Sequence, residues 1–299
     1  VTVLPLLVRL SAAQLTQVQD KNGKRTYYPS YFADSGQRVY EENRKHSVYL
    51  KLNQCSPAFF NKLEETIKAK IRRHSVDTFV QEYKAKHPTE IVPSTKTVYR
   101  YILSGLISIK PIDLPKMVSI RKRTRTKTTV NKKTLGKFIE ERPETVNNRS
   151  EFGHWEIDLV LGKKTKGEAV VMTLVERQTR FALAYKLPNK EVKTINEAVQ
   201  GLIQRYPIAS ITADNGSEFS LLSELTDIEV YFAHPYSSHE RGSNENFNGL
   251  LREFLPKGKS LNPLTDEELA QYLSAINDRP RRFHCYKTSK FLFGLAQTA

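Results

Sequence analysis

The stretch GHWEIDLVLG, residues 153–162, decides how this chain folds. Between its glycines the side chains alternate: Trp155, Ile157, Leu159 and Leu161 share one face of an extended segment, and His154, Glu156, Asp158 and Val160 share the other. Such a pattern predicts a strand with a carboxylate at its middle. Working downstream, Gly162 to Gly167 reads as a turn, AVVMTLV within Glu168–Arg177 as a buried strand, and Thr179–Lys186 as a third strand, so the three form a meander of hairpins. Val192, Ile195, Val199 and Leu202 then recur at helical spacing. A short strand, Ala209–Ala213, ends at Asp214-Asn215-Gly216, followed by a short helix over Ser217–Leu225 and a strand over Ile228–Phe232. Antiparallel strands followed by alternating helices and short strands describe an α/β domain with a mixed sheet.

The next segment, FAHPYSSHERGSNENFNGLLREFL (232–255), predicts a helix with two unlike faces. Phe247, Leu250, Leu251, Phe254 and Leu255 form an apolar stripe, and Glu245, Asn248, Gly249 and Arg252 fall opposite it. Taken alone, Glu245 is an ordinary surface carboxylate. Thr265 with Glu268 is a capping box for a last long helix, buried through Leu269, Leu273 and Ile276. Asp158 in mid-strand and Asp214 at a strand end, where α/β sheets collect ligands, give Glu245 its interest. Carboxylates are the hard donors suited to Mg²⁺ or Mn²⁺, and two such ions could clamp the attacking and leaving oxygens of a phosphoryl transfer. Glu156, Glu218 and Glu240 are rival acids that pattern alone does not exclude. His154 and Trp155 are read as strand support, and His234 and His239 lack metal-ligand spacing.

Upstream, Ser56-Pro57 starts a helix with Phe60, Leu63, Ile67 and Ile71 on its buried side. Val76, Phe79, Val80 and Tyr83 mark a second helix that ends near His87-Pro88. Ser94 caps a third, with Val98 and Ile102 inward and Thr95, Lys96, Tyr99 and Arg100 outward, a helix-turn-helix pattern. From Lys110 to Lys137 the chain holds ten Lys or Arg, among them Arg121, Lys122, Arg123 and Arg125, against the single acid Asp113. This basic linker could follow a phosphate backbone. Residues 1–55 show less: Leu4–Leu10 is a strand or buried end, Asp20–Gly23 a turn, and Tyr31–Ser47 a basic helix.

The bounds agree with a DNA partner. The 299 residues suffice for two domains, and 47 Lys and Arg against 32 Asp and Glu leave a net charge of +15, which attracts polyanions. The two cysteines, Cys55 and Cys285, form no metal or disulfide framework, so a reduced compartment is expected. No apolar run reaches membrane-span length, and the opening VTVLPLLVRL is expected to be neither signal peptide nor anchor.

GHWEIDLVLG, TLVERQTRF, ADNGSEF and HPYSSHERGSNENFNGLLREFLPKG together resemble bacterial transposases of the insertion sequence 30 family, closely along roughly residues 140–283. ERPETVNNRS before these motifs and NDRPRR after them fit as well, and YYPSYFADSGQRVYEENRKHS and STKTVYRYI resemble the family's DNA-binding region. The resemblance implies a ribonuclease-H-like integrase catalytic core, a mixed five-stranded sheet with flanking helices, preceded by a small all-α helix-turn-helix domain. The implied division is 1–55 N-terminal remnant and basic helix, 56–108 helix-turn-helix, 109–148 linker and 149–299 catalytic core. It implies an Asp-Asp-Glu triad of Asp158, Asp214 and Glu245 holding two Mg²⁺ or Mn²⁺ ions, which cleaves DNA at insertion-sequence ends and joins the 3′ hydroxyl to target DNA. Partners would be double-stranded DNA, as inverted-repeat ends and target, and further copies of the chain, with no membrane; the setting would be the nucleoid in a bacterial cytoplasm. Asn248 and Arg252 become candidate phosphate contacts, with Lys257, Arg279, Arg281 and Arg282 as a possible basic face. The chain departs from the family in three places: it lacks an additional helix-turn-helix before YYPSYFAD, which implies N-terminal truncation or frameshift recoding; it carries YKTSKFLF near its end; and it has His239 where Trp is common. The alternative expectation is a catalytically silent DNA-binding remnant.

Overall fold

The structure, a computed structural model, describes residues 13–31, 33–47, 51–115, 135–163, 165–234 and 237–298. It comprises two compact units, Val1–Ser56 and Pro57–Ala299.

In the first unit β1 (Ala13–Gln19) and β2 (Arg25–Tyr31) pair antiparallel, with Ala13 opposite Tyr31 and Gln19 opposite Arg25. The turn expected at Asp20–Gly23 joins them. Asp20 Oδ1 accepts the N–H groups of Asn22 and Lys24 at 2.9 and 2.8 Å, and Gly23 takes a left-handed φ of 78°. The hairpin itself escaped the sequence reading because Pro29 inside TYYPSY argues against a strand; in a two-stranded hairpin every strand is an edge, where proline is tolerated. Helix α1 (Ala33–Ser47) follows, as expected. The expectation for Leu4–Leu10 lies outside the described residues.

The second unit opens with α2 (Pro57–Lys68), α3 (Val76–Lys86) and α4 (Thr95–Leu103). Ser75 and Thr78 form a capping box at α3, and Ser94 Oγ accepts the Thr97 N–H at 3.2 Å at the start of α4. Phe59, Leu63, Ile67, Val80, Val98 and Ile102 form the shared core. Phe59 rather than Phe60 is the fully buried ring, one position away from the expected stripe. Ile109 and Leu114, in the segment read as linker, also belong to this core.

The remainder is built on a six-stranded sheet: β3 (Lys137–Phe138), β4 (His154–Leu161), β5 (Val170–Glu176), β6 (Ala182–Leu187), β7 (Ser210–Ala213) and β8 (Glu229–Phe232). Its order is β3-β8-β7-β4-β5-β6. The expected antiparallel meander β4-β5-β6 continues into parallel β7 and β8, the ribonuclease-H-like arrangement, and β3 adds a two-residue parallel edge too short for any periodicity to reveal. The helices are α5 (Glu144–Asn147), α6 (Val192–Ile203), α7 (Gly242–Leu251), α8 (Asp266–Asn277) and α9 (Ser289–Thr298). Trp155 and Ile157 point into one core with Ile195 and Val199 of α6 and Phe293 of α9, a helix the sequence reading missed. Val160, Val171 and Val175 point into another with Phe247 and Leu251 of α7 and Ile276 of α8. The predicted alternation of β4 thus feeds two cores, one on each face of the sheet. Among the described residues no helix is long and apolar enough to cross a membrane.

Glu156 is fully buried between β4 and α7. Its Oε1 accepts from Arg177 at 2.5 Å, and its Oε2 accepts the backbone N–H of Asn244 at 2.9 Å. Arg177, also buried, donates from Nε to the Val146 carbonyl at 3.1 Å, and burial pulls its pKa down. Arg142 lies in the same charged layer, donating to Asn147 Oδ1 and Thr212 Oγ1, so ERPETVNN serves as internal bracing. A second set of contacts joins the three-helix bundle to the sheet domain. Arg72 Nη2 lies 2.8 Å from Glu253 Oε2, and Arg279 donates to the carbonyls of Arg73 and Arg72 at 3.0 and 2.9 Å. Arg279, read above as a surface cation, is therefore a buried strut.

Removing one partner of a buried ion pair leaves the other charge unpaired, so Glu156→Ala is expected to lower unfolding stability by ~3–5 kcal/mol. Denaturant melts of the variant check this; a loss under ~1 kcal/mol would contradict the role given to the pair.

Candidate active site

Asp158 stands in the middle of β4 opposite Thr173 of β5, and Asp214 is the first residue beyond the neighbouring parallel strand β7. The two carboxylates converge on one guanidinium. Arg241 ends a 3-10 turn, Ser238–Arg241, just before α7. Its Nη1 lies 3.5 Å from Asp158 Oδ1 and its Nη2 lies 3.4 Å from Asp214 Oδ2, while Nη1 also donates to the Ile157 carbonyl at 3.1 Å. Burial pushes the Asp214 carboxyl above its ordinary pKa; Arg241 opposes this, and the neighbouring charges of Asp158 and Glu218 add to it.

Each aspartate is held in place. Asn248 Nδ2 donates to Asp158 Oδ2 at 2.8 Å, and its Oδ1 accepts from Thr173 Oγ1 at 3.2 Å. Asp158 Oδ1 accepts the Leu159 N–H at 2.9 Å, and Asp214 Oδ1 accepts the Gly216 N–H at 3.1 Å. Gly216 is squeezed between acids: a Cβ there would stand 2.8 Å from Asp214 Oδ1 and 2.9 Å from Glu218 Oε2.

Glu245 is not part of this contact. It is exposed on the first turns of α7, and its carboxylate makes no hydrogen bond or ion pair among the described residues. It lies three residues before Asn248, whose side chain touches Asp158, and that spacing shares one face of α7. Among the described residues no three Asp, Glu, His or Cys side chains converge as a metal-holding group. The donors that do converge are all carboxylate oxygens, and two of them share a cation, so the site fits a hard divalent ion held by two carboxylates with one more supplied nearby.

Two of the rival acids have other occupations. Glu156 is the buried brace, and Glu240 binds His234 through Nδ1 at 3.0 Å and the backbone N–H at 2.9 Å. Glu218 remains beside Asp214. Of the residues expected to meet DNA, Lys96 and Arg100 are exposed on α4. Thr95 donates to Asp77 at 2.9 Å, and Tyr99 packs partly buried against the bundle core. Asn248 is engaged with Asp158, and Arg252 donates to the carbonyls of Leu161 and Leu255 at 2.8 and 3.3 Å. Arg121, Lys122, Arg123 and Arg125 lie outside the described residues. Arg241 and Gly216 were missed by the sequence reading, although Arg241 sits four residues before Glu245, a spacing that sequence does display.

Residues 148–238 match the family model of the integrase core domain. The chain is 53% identical, over 97% of its length and 85% of the relative's, to the probable transposase for insertion-like sequence element IS1161 of Streptococcus salivarius. It is also 37% identical, over 52% of its length and 41% of the relative's, to transposase InsI for insertion sequence element IS30A of Escherichia coli K12. The chain belongs to the insertion sequence 30 family of transposases. It is accordingly an enzyme of the transposase and integrase type. Among solved structures, the catalytic core domain of BIV integrase is a weaker likeness: 18% identity, 49% of this chain, 96% of that one, TM-score 0.38.

In this transposase Gly216→Ala is expected to displace the Asp214 and Glu218 carboxylates without unfolding the chain, since the crowded atoms are side-chain ends. Transposase activity should fall about tenfold or more, equivalent to ~1.4 kcal/mol of barrier. An unchanged rate with an unchanged Tm would contradict the tight placement of Asp214.

Proposed function

We propose that the chain cuts DNA at insertion-sequence ends and joins the resulting 3′ hydroxyl to target DNA, with Asp158, Asp214 and Glu245 as the acids that hold two Mg²⁺ or Mn²⁺ ions. The observation that carries this reading is the sharing of Arg241 by Asp158 and Asp214, one acid on β4 and one just beyond β7, which face one cationic position. Bound divalent ions would supply Lewis-acid activation of the attacking oxygen and stabilisation of the leaving one.

The chain's own residues supply placement. Asn248, itself fixed by Thr173, orients one oxygen of Asp158, and the Leu159 N–H orients the other. The Gly216 N–H does the same for Asp214. Arg241 offsets part of the charge of the pair, and bound ions would compete with its guanidinium for both carboxylates. Glu245 is favoured over Glu218 as the third acid because it lies one helical turn before Asn248, which holds Asp158. The charge of +15 suits DNA, with Lys96 and Arg100 on α4 and the basic run Arg121, Lys122, Arg123 and Arg125 as phosphate contacts. Bringing two ends together calls for a homo-oligomer on DNA, in the bacterial nucleoid.

The test is cleavage and strand transfer with end-containing oligonucleotides in Mn²⁺. Asp158→Asn, Asp214→Asn and Glu245→Gln should each abolish both reactions while leaving DNA retention in gel shifts largely intact, and EDTA should abolish them in the parent. Full activity of Glu245→Gln together with loss in Glu218→Gln would move the third role to Glu218. Salt-sensitive binding with no cleavage by the parent would favour a catalytically silent DNA-binding protein.

A further inference from the structure

Against Gly242, Ser243, Asn246 and Phe247 of α7 lies a cleft of 370 Å³ with a charge opposite to that of the acids. Its polar lining includes Arg180, Asn246, Arg281, Arg282 and His284, with the ring of Phe283 beside them, and no carboxylate lines it. Arg281 is mostly enclosed. Burial and the nearby Arg279 pull its guanidinium down to about 10, and no acid opposes them. Arg281 Nε and His284 Nε2 are both enclosed without a hydrogen-bond partner among the described residues. A desolvated cation with no acid beside it, as Arg281 is here, is unfavourable unless an anion joins it.

The fold invests in this cleft. Arg180 occupies the left-handed corner of the β5–β6 hairpin with φ of 61°, and its Nη1 donates to Ser243 Oγ at 2.5 Å. Its guanidinium lies 5.9 Å from the centroid of the Phe283 ring. Arg281–His284 form a turn closed by two successive left-handed residues, Cys285 and Tyr286, with φ of 51° and 63°. Side-chain-bearing residues adopt that backbone only where the surroundings enforce it. Here Tyr286 is pinned by its hydroxyl to Asp77 at 3.1 Å and by its N–H to the Arg281 carbonyl at 2.9 Å. Phe283 is left 75% exposed at the rim. An exposed ring flanked by guanidinium groups is the combination with which proteins hold unpaired nucleic-acid strands, phosphate on cation and base on ring.

We propose that this cleft binds a backbone phosphate of a DNA strand whose adjoining base is unpaired, with that base stacked on Phe283. It rests on the transposase reading only in taking DNA as the polyanion. A cleft on the same helix as Glu245 would hold a frayed strand beside the acids, so it favours DNA opened near the cut.

The experiment measures dissociation constants of the 299-residue chain, in EDTA so that no cleavage intervenes, for a blunt duplex and for the same duplex with a forked, unpaired end. The parent is expected to prefer the forked DNA. Arg180→Gln/Arg282→Gln should weaken forked binding about tenfold and lower the slope of log affinity against log salt by about 1–2. Phe283→Ala should weaken forked binding about tenfold and blunt binding little. Thermal melts verify the fold; should the double variant unfold, Arg282→Gln alone, at an exposed position, carries the same test. Arginine variants with parental affinity and salt slope would overturn the proposal, as would a Phe283→Ala effect equal on both DNAs. A parent that binds neither DNA removes the transposase reading as well, whereas a parent that binds both with unaffected variants removes only the cleft.

Discussion

Everything at this site depends on one buried carboxylate. Glu156 is fully buried, and each of its oxygens has a partner: Arg177 from the turn after β5 and the Asn244 N–H at the start of α7. The second contact aligns a helix with a strand. Two residues along β4, on the same face, comes Asp158, and four residues along α7 comes Asn248, whose amide meets it. Two strand residues advance ~6.6 Å and four helix residues ~6 Å, so the two elements stay in step from one contact to the next. Arg241, just ahead of the helix, then falls between Asp158 and Asp214.

The same geometry explains a charge pattern that composition alone does not. The protein carries a large positive excess, yet Asp158 and Asp214 come together, and burial with the neighbouring charges of Asp158 and Glu218 raises the cost of keeping Asp214 ionised. Arg241 offsets that cost in the form described here. On the other flank of α7, no carboxylate lines the cleft around Arg281. One helix therefore separates a place suited to cations from a place suited to phosphates, a juxtaposition that nucleic-acid chemistry requires.

Much of this was legible in sequence, for identifiable reasons. The alternation from His154 to Leu161 announced β4 because each of its faces packs differently, and the stripe through Phe247 and Leu251 announced α7 because it is buried on the sheet. Besides the β1-β2 hairpin and the four-residue α5, the sequence did not reveal β3, which is two residues long, or α9, which buries little besides Phe293 and Ser289. Side-chain roles were harder to read. Glu156 and Asp158 share a face, and only three-dimensional partners show that the first is walled in while the second meets Arg241. Arg279 looked like surface charge because its acceptors, the carbonyls of Arg72 and Arg73, lie more than two hundred positions away in the chain. Glu245 owes its place to the motif and to helix spacing, since its carboxylate touches neither aspartate.

That last point makes the acid set the part of the account most open to direct measurement. Mn²⁺ titration of the DNA-free chain, followed by the paramagnetic resonance signal of the unbound ion, reports occupancy without any reaction. The account predicts tighter binding in Arg241→Ala, where the competing cation is gone, weaker binding in Glu245→Gln, and unchanged binding in Glu218→Gln. Parental affinity in Glu245→Gln with loss in Glu218→Gln would contradict it.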